Sequence, residues 1–287
     1  MSKKVILTID STCDLSEELI QQYNIDEVFP LHVLYGDQSF DDGINMFPDE
    51  IYKRFYDSGT LPTTAAISIG EYLDHFRPYV ENGCEVIHIS LGSSLSCSHA
   101  NARAAAEMLE GVYVIDSRAL STGSGLIALE ASDRIAQGMC AKDIADELNK
   151  LTDKNHASFI LDTLRFLAAG GRCSAVAAFG ANVLGIKPSI AVDNAKCGSM
   201  GVAKKFRGKF PACVEQYVND QLDMYSDIVP KRIFITHSGI DEAIIESVRA
   251  ILKNRGNFEN IYVTRAGCTI SSHCGPNCIG VLFMTES

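Results

Sequence analysis

Glu85-Val86-Ile87-His88-Ile89-Ser90-Leu91-Gly92-Ser93-Ser94-Leu95-Ser96-Cys97-Ser98 decides the reading of this chain, because branched apolar residues give way there to a hydroxyl-rich loop. The first six residues read as a strand buried in a parallel sheet, where both faces are covered and apolar residues run on without alternation. Beyond the loop, Ala100, Ala104, Ala105, Met108 and Leu109 recur at helical spacing, with Asn101, Arg103, Glu107 and Glu110 elsewhere on the wheel. Strand, polar loop and helix in that order make a site. In open α/β sheets ligands sit at the carboxyl ends of strands, and the first turn of the following helix offers unpaired N–H groups to an anion. The alternative is that Ser96 or Ser98 only caps the helix.

The same alternation extends in both directions. Residues 5–10 read as a strand, and Asp14-Leu15-Ser16-Glu17 resembles a capping box opening a helix to about Tyr23. Residues 28–34 read as a second strand, 47–58 and 69–80 as helices, 112–116 as a strand, and 123–136 and 141–151 as helices. This pattern predicts a parallel sheet covered by helices on both faces. After the polar stretch Thr152-Asp153-Lys154-Asn155 the pattern changes. Strands at 157–161, 232–236, 261–264 and 280–284, a hairpin over 187–203, and helices at 211–224 and 241–255 make the second half mixed α/β. We therefore expect two domains, residues 1–155 and 156–287, in an α/β protein.

Composition narrows the partners. The 287 residues carry 25 Lys and Arg against 36 Asp and Glu, a net charge of −11 that argues against nucleic acid and anionic membrane surfaces. No stretch approaches a membrane span, and the apolar run before Asp10 is too short for a signal peptide, so a cytoplasmic location is expected. The ten cysteines lack a paired framework and are expected to be reduced. Cys268, His273, Cys274 and Cys278 are near enough to consider zinc, but without a Cys-x-x-Cys pair their spacing suits no common finger, and no metal is expected.

Four polar loops then compete as sites: Asp10-Ser11-Thr12, Leu61-Pro62-Thr63-Thr64, residues 93–98, and Ser271-Ser272-His273 before the last strand. Neither Gly-x-x-x-x-Gly-Lys nor Gly-x-Gly-x-x-Gly occurs, which removes the usual nucleotide cradles. Gly92-Ser93-Ser94-Leu95-Ser96 mimics a nucleophile elbow but ends in Ser96 where the sharp turn needs glycine. A triad of Ser94 or Ser96 with His273 and Asp116 stays open as an alternative, giving a serine-dependent acyl hydrolase or transferase. Neutral hydroxyls suit a carboxylate whose affinity comes from an apolar tail. At about 0.8 kcal/mol per buried methylene, roughly fourteen methylenes offer on the order of 11 kcal/mol before ordering costs, so the head group needs only satisfying. The aromatic residues Phe47, Phe55 and Phe76 are read as core, and Asp10 as a strand-end structural residue.

Thr8-Ile9-Asp10-Ser11-Thr12, Pro62-Thr63-Thr64, Leu95-Ser96, Val114-Ile115-Asp116-Ser117, Leu161-Asp162-Thr163-Leu164, Gly170-Gly171-Arg172, Lys187-Pro188 and His273-Cys274-Gly275-Pro276, taken in order, resemble the DegV family of fatty-acid-binding proteins over nearly the whole chain. The resemblance implies a two-domain carrier, not an enzyme. It would enclose one long-chain fatty acid, need no cofactor beyond it, and present it to a fatty acid kinase that makes acyl phosphate. By matching position, Thr64, Ser96, His273 and Arg172 would hold the carboxylate, with Ser94 and Thr63 as secondary candidates and Arg207 on the kinase-docking surface. Ala65-Ala66-Ile67 replaces the family's Ser-Gln-Pro, and Cys97-Ser98-His99 its Gly-Thr-Tyr, which removes polar groups at one loop and adds bulk at the other.

Overall fold

The computed structural model describes residues 3–173 and 185–286. The first half runs β1 (Val5–Asp10), α1 (Glu17–Gln22), β2 (Glu27–Phe29), β3 (His32–Tyr35), β4 (Gln38–Asp41), α2 (Pro48–Ser58), β5 (Thr63–Ala65), α3 (Ile69–Glu81), β6 (Glu85–Ser90), α4 (Ser98–Ala106), β7 (Val112–Asp116), α5 (Thr122–Ala136) and α6 (Ala141–Leu151). The branched strands form a four-stranded parallel sheet in the order β2-β1-β6-β7. Tyr72 and Phe76 of α3 and Ala102 and Ala105 of α4 bury one face against Ile6, Phe29 and Val86. On the other, Leu126, Leu129, Ile144 and Leu148 of α5 and α6 pack against Leu7, Ile9, Ile87 and Ile115. Helices on both faces are what the sequence pattern predicts.

The second half runs β8 (Asn155–Leu161), α7 (Arg165–Gly170), β9 (Ile186–Asp193), β10 (Ser199–Arg207), α8 (Phe210–Met224), β11 (Ile228–His237), α9 (Glu242–Arg255), β12 (Ile261–Arg265), α10 (Cys268–Cys274) and β13 (Cys278–Thr285). Its strands form one sheet in the order β10-β9-β8-β13-β11-β12, antiparallel except for the β11–β12 pair. Tyr217 of α8 and Val248 and Leu252 of α9 cover one face of it. The other face meets α5, whose Leu126 and Ala128 share a core with Ala157, Leu282 and Met284. Lying between two sheets, α5 is buried at every residue from Thr122 to Leu129. This explains why its sequence is small and apolar all round instead of striped.

Five expectations are corrected. Residues 28–34 are not one strand: Pro30 offers no N–H to a ladder, and the chain leaves the parallel sheet there to enter a three-stranded antiparallel sheet, β4-β3-β5. The loop 61–64 ends in that sheet's short strand β5, and Ser271-Ser272-His273 is not a loop but part of the buried helix α10. Ser16 is the helix N-cap, accepting from Leu19 N–H at 3.4 Å, while Asp14 takes a left-handed conformation and is buried. Phe55 and Phe76 are core residues, but Phe47 is exposed.

Candidate functional site

A cavity of about 450 Å³ opens beyond the carboxyl end of β6, and its wall contains Thr64, Ser94, Ser96, Arg172 and His273. The loop from Leu91 to Cys97 forms one side. Its backbone is pinned at four points: Leu91 N–H donates to Asp10 Oδ2 (2.9 Å), Gly92 N–H to the Ala119 carbonyl (2.9 Å), Ser93 N–H to Asp116 Oδ1 (3.1 Å) and Ser94 N–H to the Cys197 carbonyl (3.1 Å). A Cβ at Gly92 would lie 2.9 Å from the Ala119 carbonyl oxygen, so only glycine lets the loop approach so closely. Asp10 is wholly buried and also accepts from Tyr72 Oη (2.7 Å) and pairs with His88 Nε2 (3.1 Å), the structural role that its strand-end position predicts.

Within the loop, Ser96 Oγ accepts from Ser98 N–H at 3.1 Å and meets Ser98 Oγ at 3.0 Å. Ser96 thus takes the first N–H of α4, while Cys97 holds the N-cap position and makes no side-chain cap bond. Opposite, β5 places Thr64 on the cavity side and leaves Thr63 exposed on the other, as strand alternation requires. Thr64 Oγ1 lies 2.9 Å from His273 Nε2, joining residues 209 positions apart in sequence. Ser94 reaches the cavity wall, whereas Thr63 does not.

His273 is carried by α10, whose start is docked by two buried aspartate side chains from the first half. Asp42 accepts from Cys268 N–H (2.6 Å), Thr269 N–H (3.0 Å) and Ser11 Oγ (3.2 Å). Asp14 accepts from Gly267 N–H (2.8 Å) and Ser121 Oγ (2.5 Å). Burial, reinforced by Asp42, pushes Asp14 up to about 8 against the pull of those hydrogen bonds. Burial also pushes His273 down to about 4, with the Arg172 guanidinium acting in the same direction. The imidazole is therefore neutral at neutral pH. Its Nδ1 is buried without a hydrogen-bond partner among the described residues, against Gly170, where any Cβ would collide with the ring. Nε2 is then the protonated nitrogen, because an unpaired acceptor costs less than an unpaired donor. Arg172 stands exposed at the cavity edge, its Nη1 donating to the Gly170 carbonyl at 2.8 Å. Arg207 lies away from the cavity, exposed at the end of β10, an edge strand of the larger sheet.

The apolar remainder of the wall comes from Leu31, Leu91, Leu120, Leu167, Met200 and Ile270, drawn from both halves of the chain. None of these six was singled out from the sequence. Leu31, Leu91 and Leu120 sit in loops, Met200 near the start of β10, and Leu167 and Ile270 within short helices, where each reads as ordinary core. The elbow-like serines do not form a triad: His273 Nε2 faces Thr64, its Nδ1 has no carboxylate, and Asp116 binds the Ser93 and Arg118 N–H groups. The late cysteines do not converge on His273 either, since Cys268 Sγ bonds the Met46 carbonyl and Cys274 lies against Cys278. Among the described residues no group of three or more His, Cys, Asp or Glu is placed to hold a metal ion. No helix among them is long and apolar enough to cross a membrane.

A model of the DegV family, a family of uncharacterised proteins, matches residues 4–286. A DegV domain-containing protein of Clostridium perfringens is 31% identical over 99% of each chain. Among solved structures, a fatty-acid-binding DegV family protein of Thermus thermophilus superposes with a TM-score of 0.89 at 26% identity, covering 98% of this chain and 99% of that one. The fatty acid binding protein DegV of Bacillus subtilis gives 0.83 at 25% identity, with 99% and 100% covered.

Proposed function

The chain belongs to the DegV family, and from that premise we propose that it is a carrier that binds one long-chain fatty acid, with no catalytic group of its own. The carboxylate would lie among Thr64, Ser96, His273 and Arg172, with Ser94 beside them, and the tail along Leu31, Leu91, Leu120, Leu167 and Ile270. The observation that carries this reading is the Thr64–His273 hydrogen bond at the polar end of an otherwise apolar cavity.

The bond has a direction. With its proton on Nε2, His273 donates to Thr64 Oγ1, which frees the Thr64 hydroxyl hydrogen for an anion. Ser96 is prepared in the same way, since Ser98 N–H already occupies one of its lone pairs and its own hydrogen can turn to the ligand. Two hydroxyl donors satisfy a carboxylate, each worth about 1.5–3 kcal/mol to an ionised acceptor, and the exposed Arg172 supplies long-range positive charge. Affinity then rests on the tail, at about 0.8 kcal/mol per methylene.

A carboxylate held near the surface can be handed to a partner without leaving its tail site. We assign that partner as a fatty acid kinase, in the cytoplasm. The carboxylate oxygen would attack the terminal phosphorus of ATP bound to the kinase, releasing ADP and leaving acyl phosphate in the carrier. Arg207, remote from the cavity, would belong to the docking surface. The division into domains 1–155 and 156–287 is part of the same proposal: Thr64 and Ser96 come from the first, Arg172 and His273 from the second.

Denaturing extraction of freshly purified protein, followed by mass spectrometry, tests the reading. About one equivalent of fatty acid is expected; none recovered, together with no uptake of added acid, overturns it.

A further inference from the structure

Behind the main cavity lies a second void of about 30 Å³, and three side chains, Leu120, Ile270 and Cys274, line both. We propose that these three form a neck through which the end of the acyl chain passes, and that the void behind it sets the longest chain the protein takes. The inference rests on the fatty-acid reading above.

The position of the neck follows from the two linings. Thr64, Ser96 and His273 line the main cavity alone, whereas Leu120, Ile270 and Cys274 line both it and the rear void, so these three form the wall between the polar groups and that void. The neck is built from two elements: Leu120 precedes α5, and Ile270 and Cys274 lie one turn apart on α10, with Cys274 held against Cys278.

The rear void also has the right chemistry. Its wall holds Phe159, Ala266, Cys278 and Leu282, and Gly280 leaves space by having no side chain. The hydroxyls bordering it are all engaged elsewhere. Ser121 donates to Asp14, Thr236 pairs with Thr122 (2.5 Å) and Thr264 (3.2 Å), Ser158 meets Tyr217 (2.8 Å) and Gln221 (2.9 Å), and Ser238 is bonded to the Gly275 carbonyl. His237 also borders the void, its Nδ1 accepting from Gly239 N–H at 3.2 Å and its pKa pushed down by burial. A chamber whose hydroxyls are satisfied and whose one imidazole is uncharged has little hold on water and accepts hydrocarbon. Its volume matches about one methylene-sized group, so the tail is stopped there within a carbon or two.

A length series tests this. Affinities of saturated fatty acids measured from ten to twenty carbons should rise by up to about fourfold per methylene, the equivalent of about 0.8 kcal/mol, and then break at one length. Ile270→Ala, which widens the neck, should move the break to longer chains, and Cys278→Met, which fills the rear void, to shorter ones. Thermal melting confirms that both variants are folded. An unaltered break in both folded variants, with acids still bound, overturns the neck while leaving the carrier reading intact. A readout free of variants uses the wild-type chain and a fatty acid bearing a diazirine at its terminal carbon. Labelling of Phe159, Ala266 or Leu282 is the expected result, and labelling confined to Leu31, Leu167 or Met200 overturns the proposal. If the wild-type chain binds no acid of any length, the carrier reading falls and the neck with it.

Discussion

The hydroxyl of Thr64 and the imidazole of His273 illustrate how little of the proposed head-group site lies in any one residue. Thr64→Val and Ser96→Ala are each expected to weaken fatty acid retention about tenfold, the equivalent of one charge-assisted hydrogen bond, as read by displacement of a fluorescent acid. Gly170→Ala should do the same at a distance, because the added carbon has no room beside the ring and must push it off Thr64. The shifted pKa of His273 gives stability a pH dependence. Neutral in the folded chain down to about 4, it takes up a proton at about 6.5 once unfolded, so acid favours the unfolded state across that window by about 3 kcal/mol in total. Denaturant unfolding should therefore show stability falling from pH 6.5 to 4, with a shallower fall in His273→Gln. Asp14 works oppositely: held protonated up to about 8 against an ordinary 3.8, it costs stability progressively as pH rises between those values. Asp14→Asn should flatten the alkaline side of the same curve. Thr64, Ser96 and His273 were legible in the sequence as hydroxyls and an imidazole in recurring strings. The direction of their hydrogen bonds was not, since it depends on the burial of a nitrogen that only the folded chain determines.

At the scale of elements, long apolar runs announced themselves and short docked segments did not. The runs at 5–10, 85–90 and 112–116 coincide with β1, β6 and β7: β1 and β6 are buried nearly throughout, and the edge strand β7 keeps the same branched residues. The helix α10 is different. Seven residues with two adjacent serines have weak intrinsic helicity, and its first N–H groups are satisfied by Asp42, which lies 226 residues away from Cys268. No local window contains that partner. Asp42→Ala should accordingly act as the loss of a cap, lowering stability by about 1–2 kcal/mol and weakening fatty acid retention with it, since α10 carries His273. Scanning calorimetry and the displacement assay measure the two effects. The strand β5 was hidden for a related reason: three residues after a proline read as a turn until β3 supplies a ladder for them.

For the whole molecule, both sheet classes could be read from periodicity. The way α5 is clasped between the two sheets could not, since its evenly small and apolar surface fits any buried helix. The proposed traffic with a kinase belongs to this scale too. Arg207→Ala should leave lipid retention and melting temperature unaltered and slow acyl phosphate formation when a fatty acid kinase and ATP are supplied, because its side chain is remote from the cavity. Equal loss of retention in that variant would place it in the lipid site instead. The bond between Thr64 and His273 has one more consequence. A polypeptide still emerging from the ribosome has no imidazole to set against the threonine until 209 further residues have been made. The proposed lipid capture would therefore wait for the second half of the chain, and a product stalled before His273 would stay empty.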